Sequence, residues 1–330
     1  MLNRIHLILP LIGISLWPLL AGQVQALDPK RDSGEGLIYY GTSWVKPADI
    51  EAERNKDRRK LGWDFTSKIK TAHYEIWSGR PEALMLEVSE ILENEVDAYR
   101  NLYGTTWELN ENFKPIKVFL FADRDSFAQV ALRVRGGPIV DLNNGFYGRR
   151  EGAIYLGMAK NAASYPEELR LSLLLHTARH ETSHALDDLF AGGDGRLPAW
   201  VSEGLAEHLA YAAQGRQTLP GVIRVHPNSS GCENVVLEAS KASLVDLFDA
   251  RKLQAGSARL YGLSWAFVHF LFHAEQGRYA KGFSAYLRDI NERRSLEDLE
   301  ICLGRKLSDL EPEFKLWIKQ ELYPAVKKSS

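Results

Sequence analysis

The chain has 330 residues, 45% of them hydrophobic and 25% charged, with a formal net charge of −2. That balance belongs to an ordinary globular protein and excludes a fibre or a disordered chain. It carries neither a basic excess nor an acidic tail, so no nucleic-acid partner is expected.

The first 26 residues differ from the rest. Arg4 supplies a positive start, residues 7–20 are apolar but broken by Pro10 and Pro18, and Val24-Gln25-Ala26 is a small-x-small pattern. This predicts a signal peptide over 1–26, cleaved after Ala26, and an exported protein, periplasmic or secreted. The apolar run is shorter than the roughly 20 residues a spanning helix needs, which disfavours the alternative of an uncleaved N-terminal tether. No later stretch is long and apolar enough to span a bilayer. The two cysteines, Cys232 and Cys302, are compatible with one disulfide or with two separate thiols. They are too few for a Cys-rich structural zinc site, so a metal here must use histidine and carboxylate.

Residues 27–62 are charged and aperiodic and read as an N-terminal arm. A strand is expected over Ile69–Trp77, then an amphipathic helix over Pro81–Tyr103 with Leu84, Val88, Ile91, Leu92, Val96 and Tyr99 on one face. Pro115–Phe121 reads as a second strand followed by a short helix through Phe127. Gly145–Gly148 and Ala153–Met158 read as a hairpin. Pro166–Phe190 and Trp200–Ala213 read as helices, and residues 214–235 as loop. Further helices are expected over Leu244–Ala250, Tyr261–Glu275, Phe283–Ile290, Leu296–Leu303 and Leu307–Leu322. Ser295-x-x-Asp298 and Ser308-x-x-Glu311 are candidate capping boxes for the last two. The expected architecture is α+β: an α/β half over 63–213 and a helical half over 214–330.

The central motif is His180-Glu181-Thr182-Ser183-His184. Residues four apart lie on one helix face, one turn above the other, so both imidazoles can bind a single ion. Glu181 is rotated by about 100°, beside the ion rather than on it. A catalytic zinc site takes three protein ligands and keeps an open position. Glu203 follows His184 after 18 intervening residues, enough to end a helix, reverse and begin an antiparallel one. Gly204 would let those two helices approach closely, and Glu207, one turn on, could accept from the second nitrogen of a ligand histidine.

This pair, HExxH with Trp200-Val201-Ser202-Glu203-Gly204-Leu205-Ala206-Glu207, resembles the gluzincin metallopeptidases, the peptidase-MA group. The order of elements from about Ile69 to Ala213 is similar as well, and the remainder to about Leu322 is similar to small bacterial peptidase-MA-like domains of unassigned substrate. The resemblance implies a thermolysin-like zincin fold, with a small mixed sheet on an active-site helix and a mostly helical part completing the cleft. It implies Zn²⁺ on His180, His184 and Glu203, Glu181 as general base, and a peptide or protein substrate. It further implies that Ala153, Ile154, Tyr155 and Leu156 form the edge strand of the cleft, able to pair with an extended substrate. The family stabilises the oxyanion with a Tyr or His from the helical half; Tyr261 is the candidate, with Tyr211 and His226 as alternatives. No Gly-Ala-Met-Glu-Asn-like segment for a free N-terminus is present, so the likeness does not extend to aminopeptidase specificity. The same ligands would also serve hydrolysis of a non-peptide amide or ester, or an idle site in a binding module.

The other histidines read as bland. His176, one turn before His180, could border the site; His208, His269 and His273 read as packing or surface, and His73 as a strand position. The sequence assigns no oligomeric state.

Overall fold

In a computed structural model the described residues are 38–40, 43–61, 63–107, 113–135, 144–158, 166–190, 197–212, 239–249, 258–289 and 295–324. They form an α+β protein built on a small mixed sheet and surrounded mainly by helices. A hairpin, β1 (Ile38–Tyr40) and β2 (Ser43–Val45), precedes helix α1 (Pro47–Leu61). The expected arm is thus a structured unit from residue 38 onward. Its Lys, Arg, Glu and Ala residues are good helix formers, and Pro47 suits the first turn. Tyr40 donates to Asp57 at 2.7 Å, closing the hairpin onto α1.

The main sheet holds β3 (Ser67–Lys70), β4 (Tyr74–Ser78), β5 (Ile116–Leu120), β6 (Gly145–Gly148) and β7 (Ala153–Leu156), in the order β3-β4-β5-β7-β6. The single strand expected over Ile69–Trp77 is two antiparallel strands instead. Thr71 reverses the chain: its N–H donates to Tyr74 O at 2.8 Å, and Tyr74 N–H donates to its hydroxyl at 3.0 Å. β4, β5 and β7 run parallel, and β6 returns antiparallel outside β7.

Alternation splits the sheet into two faces. Trp77, Phe119, Tyr155 and Phe146 stand in register across four strands. Their rings stack at 5.0, 5.2 and 4.8 Å between successive centroids. This aromatic row packs under α3 (Arg124–Arg135), through Phe127 and Val130. The opposite face, Ile76, Val118, Leu120, Ile154 and Leu156, joins the main core with α2 (Glu82–Tyr103) and α4 (Glu167–Phe190). On α2, Val88, Leu92, Val96 and Tyr99 are buried as the periodicity requires, with Leu84 and Ile91 partly so.

α4 lies between the sheet, α2 and α5 (Ala199–Ala212), and is buried all round from Leu174 to Asp187 apart from Leu175, His176 and Arg179. Beyond α5 come a short 3₁₀ turn (Leu244–Phe248), α6 (Ala258–His273), α7 (Ala280–Arg288), α8 (Leu296–Leu303) and α9 (Leu307–Trp317). Trp200 of α5 anchors this half against Phe267, Phe248, Phe283 and Tyr286. The Ser295–Asp298 capping box forms, with both reciprocal bonds present. The Ser308–Glu311 box does not: the N-cap of α9 is Lys306, two residues before Ser308, and Glu311 instead accepts from Ser243 Oγ at 2.9 Å and Leu244 N at 2.8 Å. No described helix is long and apolar enough to cross a membrane.

Candidate metal centre

α4 carries His180, Glu181 and His184 into the protein interior. The imidazole of His180 and the carboxylate of Glu181 are 0% exposed, and His184 is 6% exposed. Burying that much polarity on a central helix demands partners. α5 supplies them, entering antiparallel from Pro198, whose carbonyl accepts from Val201 N at 2.9 Å and Ser202 N at 3.0 Å.

Glu203 Oε2 lies 2.8 Å from His180 Nε2 and 3.8 Å from His184 Nε2. One ligand atom from each of the three residues falls within 4.8 Å of the others. A tetrahedral zinc with bonds of roughly 2.0–2.2 Å sets its ligand atoms about 3.3 Å apart, so these spacings need only small adjustment.

The second nitrogens are also accounted for. Glu207 Oε1 lies 3.1 Å from His180 Nδ1, an ion-pair distance. Ser202 Oγ bonds His184 Nδ1 at 3.0 Å. Sequence reasoning missed Ser202; its place one residue before Glu203 was the available signal, but its partner depends on the rotational phase of α5. His176 borders the same group, with Nε2 3.4 Å from Glu207 Oε2.

The donor set fits a cation. A neutral imidazole has one N–H, yet both nitrogens of His180 face carboxylates. Burial pushes its pKa down to about 4, against the opposing pull of Glu207, so at neutral pH only one edge can donate. A metal ion shared by Nε2, His184 and Glu203 leaves Nδ1–H to donate to Glu207. Burial likewise holds His184 well below its ordinary value, with His180 and Arg149 adding to the effect, and takes His176 down to about 3. Neutral imidazole is the ligating form. Burial raises the Glu207 carboxyl, and the neighbouring His180 opposes that rise.

Two expectations about the surroundings are corrected. Ala153–Leu156 is an interior strand, paired with β5 on one side and β6 on the other. The turn through Gly152, at φ +59°, folds β6 back along its outer side, so the backbone groups of Ala153, Ile154, Tyr155 and Leu156 are consumed within the sheet. Among the described residues β6 is the outermost strand on that side. It carries Tyr147, whose phenol is raised by burial and by Asp188, with Glu181 a smaller contributor. Arg149 follows on the same turn and holds Asp188 of α4 at 2.9 Å. Secondly, Gly204 does not mediate the contact with α4. A Cβ there would lie 2.7 Å from Ser264 O and 2.6 Å from Val268 Cγ2, so it permits the close approach of α6.

Tyr261 lies on α6, but its side chain, like that of Tyr211, is outside the described residues, as are His226 and Cys232. Residues 1–37, with the expected signal peptide, are outside them as well. Cys302 is a thiol. His73 sits against Glu93, its Nδ1 2.6 Å from Oε2. His208, His269 and His273, read from sequence as packing or surface, come together as a second histidine cluster. No protein family, no curated protein and no solved structure matches the chain.

Proposed function

We propose that this is an exported zinc-dependent peptidase of the gluzincin type, with a thermolysin-like arrangement around His180, His184, Glu203 and Glu181. The observation that supports it most is the convergence of two histidine Nε2 atoms on one oxygen of Glu203, at 2.8 and 3.8 Å, with Glu181 buried between the histidines on the same helix.

When bound, zinc acts as a Lewis acid that polarises a carbonyl and brings the pKa of water to roughly 7. His180 and His184 would hold it through Nε2, since Glu207 lies 3.1 Å from Nδ1 of the first and Ser202 bonds Nδ1 of the second. Glu203 would contribute the one anionic ligand, so a dication held there would keep a net positive charge. Glu181 accepts the proton of the attacking water and returns it to the departing amine. The outer edge of β6 is the place for an extended substrate backbone, since the expected strand Ala153–Leu156 is consumed within the sheet.

The test is cleavage of a diverse peptide mixture by the mature, zinc-loaded protein, read by mass spectrometry beside Glu181→Gln. Wild type is expected to cut; Glu181→Gln should keep its metal and lose turnover by about three or more orders of magnitude. Glu203→Ala should lose zinc from this centre. Cleavage by Glu181→Gln at the wild-type rate would sink the base assignment. Silence from zinc-loaded wild type would move the reading to a non-peptide amide or ester, or to an idle site.

A further inference from the structure

We propose that His208, His269 and His273 form a second metal site, taking a zinc-class transition ion through three imidazole nitrogens, independently of the centre on α4. His269 and His273 are four apart on α6, on one face, the same spacing logic that pairs His180 with His184. His208 reaches them from α5. One ring nitrogen from each falls within 4.8 Å of the others. The ring centroids are separated by 4.4 Å for His269 and His273, and by 5.2 Å from His208 to each.

The hydrogen bonding selects the ligating atoms. The Tyr103 hydroxyl donates to Leu205 O at 3.3 Å, so its oxygen is the acceptor for His208 Nδ1–H at 2.9 Å. That fixes the tautomer and leaves the His208 Nε2 lone pair facing the cluster, 3.0 Å from His273 Nε2. Such a contact behind a ligand histidine orients the ring for a metal. His269 supplies an independent observation. It is 5% exposed, and neither ring nitrogen has a hydrogen-bond partner among the described residues. Packing alone explains a buried imidazole poorly, because such groups are nearly always bonded. A metal ion bound by His208 Nε2, His273 and His269 engages that orphaned ring.

The surroundings favour the same class of ion. Burial, reinforced by the neighbouring histidines, holds His208 and His269 well below their usual range, and burial takes His273 down to about 4, so all three are neutral ligands. Trp265 and Trp317 flank His269 with centroids at 6.1 and 5.8 Å, and Phe272 stacks on His208 at 5.4 Å. Three nitrogen donors suit zinc, copper or nickel and exclude the oxygen-seeking magnesium and calcium. His273, the partly exposed member, is the route in. A bound ion would cross-link α6 to α5, the helix that also carries Glu203 and Glu207.

The test uses the full chain, stripped of metal and titrated with Co²⁺ in the H180A/H184A background, where the first centre is gone. The expected result is visible absorption saturating at one equivalent, and Zn²⁺ displacing it. His273→Gln, at the partly exposed position, and His269→Phe should each weaken that binding at least about tenfold, with helix content by circular dichroism unchanged. No Co²⁺ uptake by H180A/H184A would overturn the proposal, and so would uptake that survives both His273→Gln and His269→Phe. Failure of the peptidase reading shows elsewhere, as zinc-loaded wild type that cuts no peptide, so the two outcomes are distinguishable.

Discussion

Glu207 sits between two imidazoles, 3.1 Å from His180 Nδ1 and 3.4 Å from His176 Nε2. Its effect on a metal bound at the proposed centre would be indirect, through the tautomer and orientation of His180. Glu207→Ala is therefore expected to lower zinc affinity roughly 10–100-fold while Glu203 and His184 stay in place. Competition against a chromogenic chelator measures this, and an affinity within about twofold of wild type would remove Glu207 from the site. Which residues share a face within α4, and which within α5, was legible because helical spacing sets those relations. Ser202 was not, since its place beside Glu203 names no partner until α5 has a rotational phase against His184.

Between elements, Gly204 shows how a correct residue can be given the wrong partner. A Cβ there meets the backbone of Ser264, which cannot rotate away as a side chain could. Gly204→Ala should push α6 from α5 and destabilise by about 1–3 kcal/mol, despite the better helix propensity of alanine. Thermal unfolding measures the loss, and a stabilised variant would show that the two helices are not tightly apposed. The same scale governs Ala153–Leu156. Its apolar, β-prone residues predict a strand, but edge or interior depends on which side β6 folds. The Ile69–Trp77 segment likewise has strand propensity throughout, and only the Thr71 turn divides it. At Ser308 a capping pattern was overridden by the docking of Glu311 onto the turn at Leu244.

Over the whole molecule, burial leaves a measurable mark at alkaline pH. Tyr74, Tyr99 and Tyr103 are 0% exposed, and burial, aided by nearby carboxylates such as Glu95 or Asp187, holds their phenols protonated well above the usual value. In the unfolded chain those rings ionise near pH 10. Above that pH the folded state binds more protons, so their contribution is fully present below about pH 10 and declines as pH rises, by about 1.4 kcal/mol per pH unit per ring. Denaturant unfolding between about pH 9 and 11 should show the decline. Tyr74, whose hydroxyl has no hydrogen-bond partner among the described residues, allows a clean control. Tyr74→Phe should reduce the slope by one ring's share at little cost in stability below pH 9; an unchanged slope would mean that this phenol titrates as in water.

The sequence by itself determined what depends on neighbours along the chain: the helical face of α2, the shared face of His180 and His184, the capping box at Ser295, and the presence of a carboxylate helix after 18 intervening residues. Tertiary structure alone decided which strand lies outermost, which helix Gly204 admits, and that Ser202 supports His184. It also brought His208 to His269 and His273 across 61 and 65 positions of chain. Periodicity reports which face of an element is apolar, but not which other element will cover it; that choice is made by packing in three dimensions.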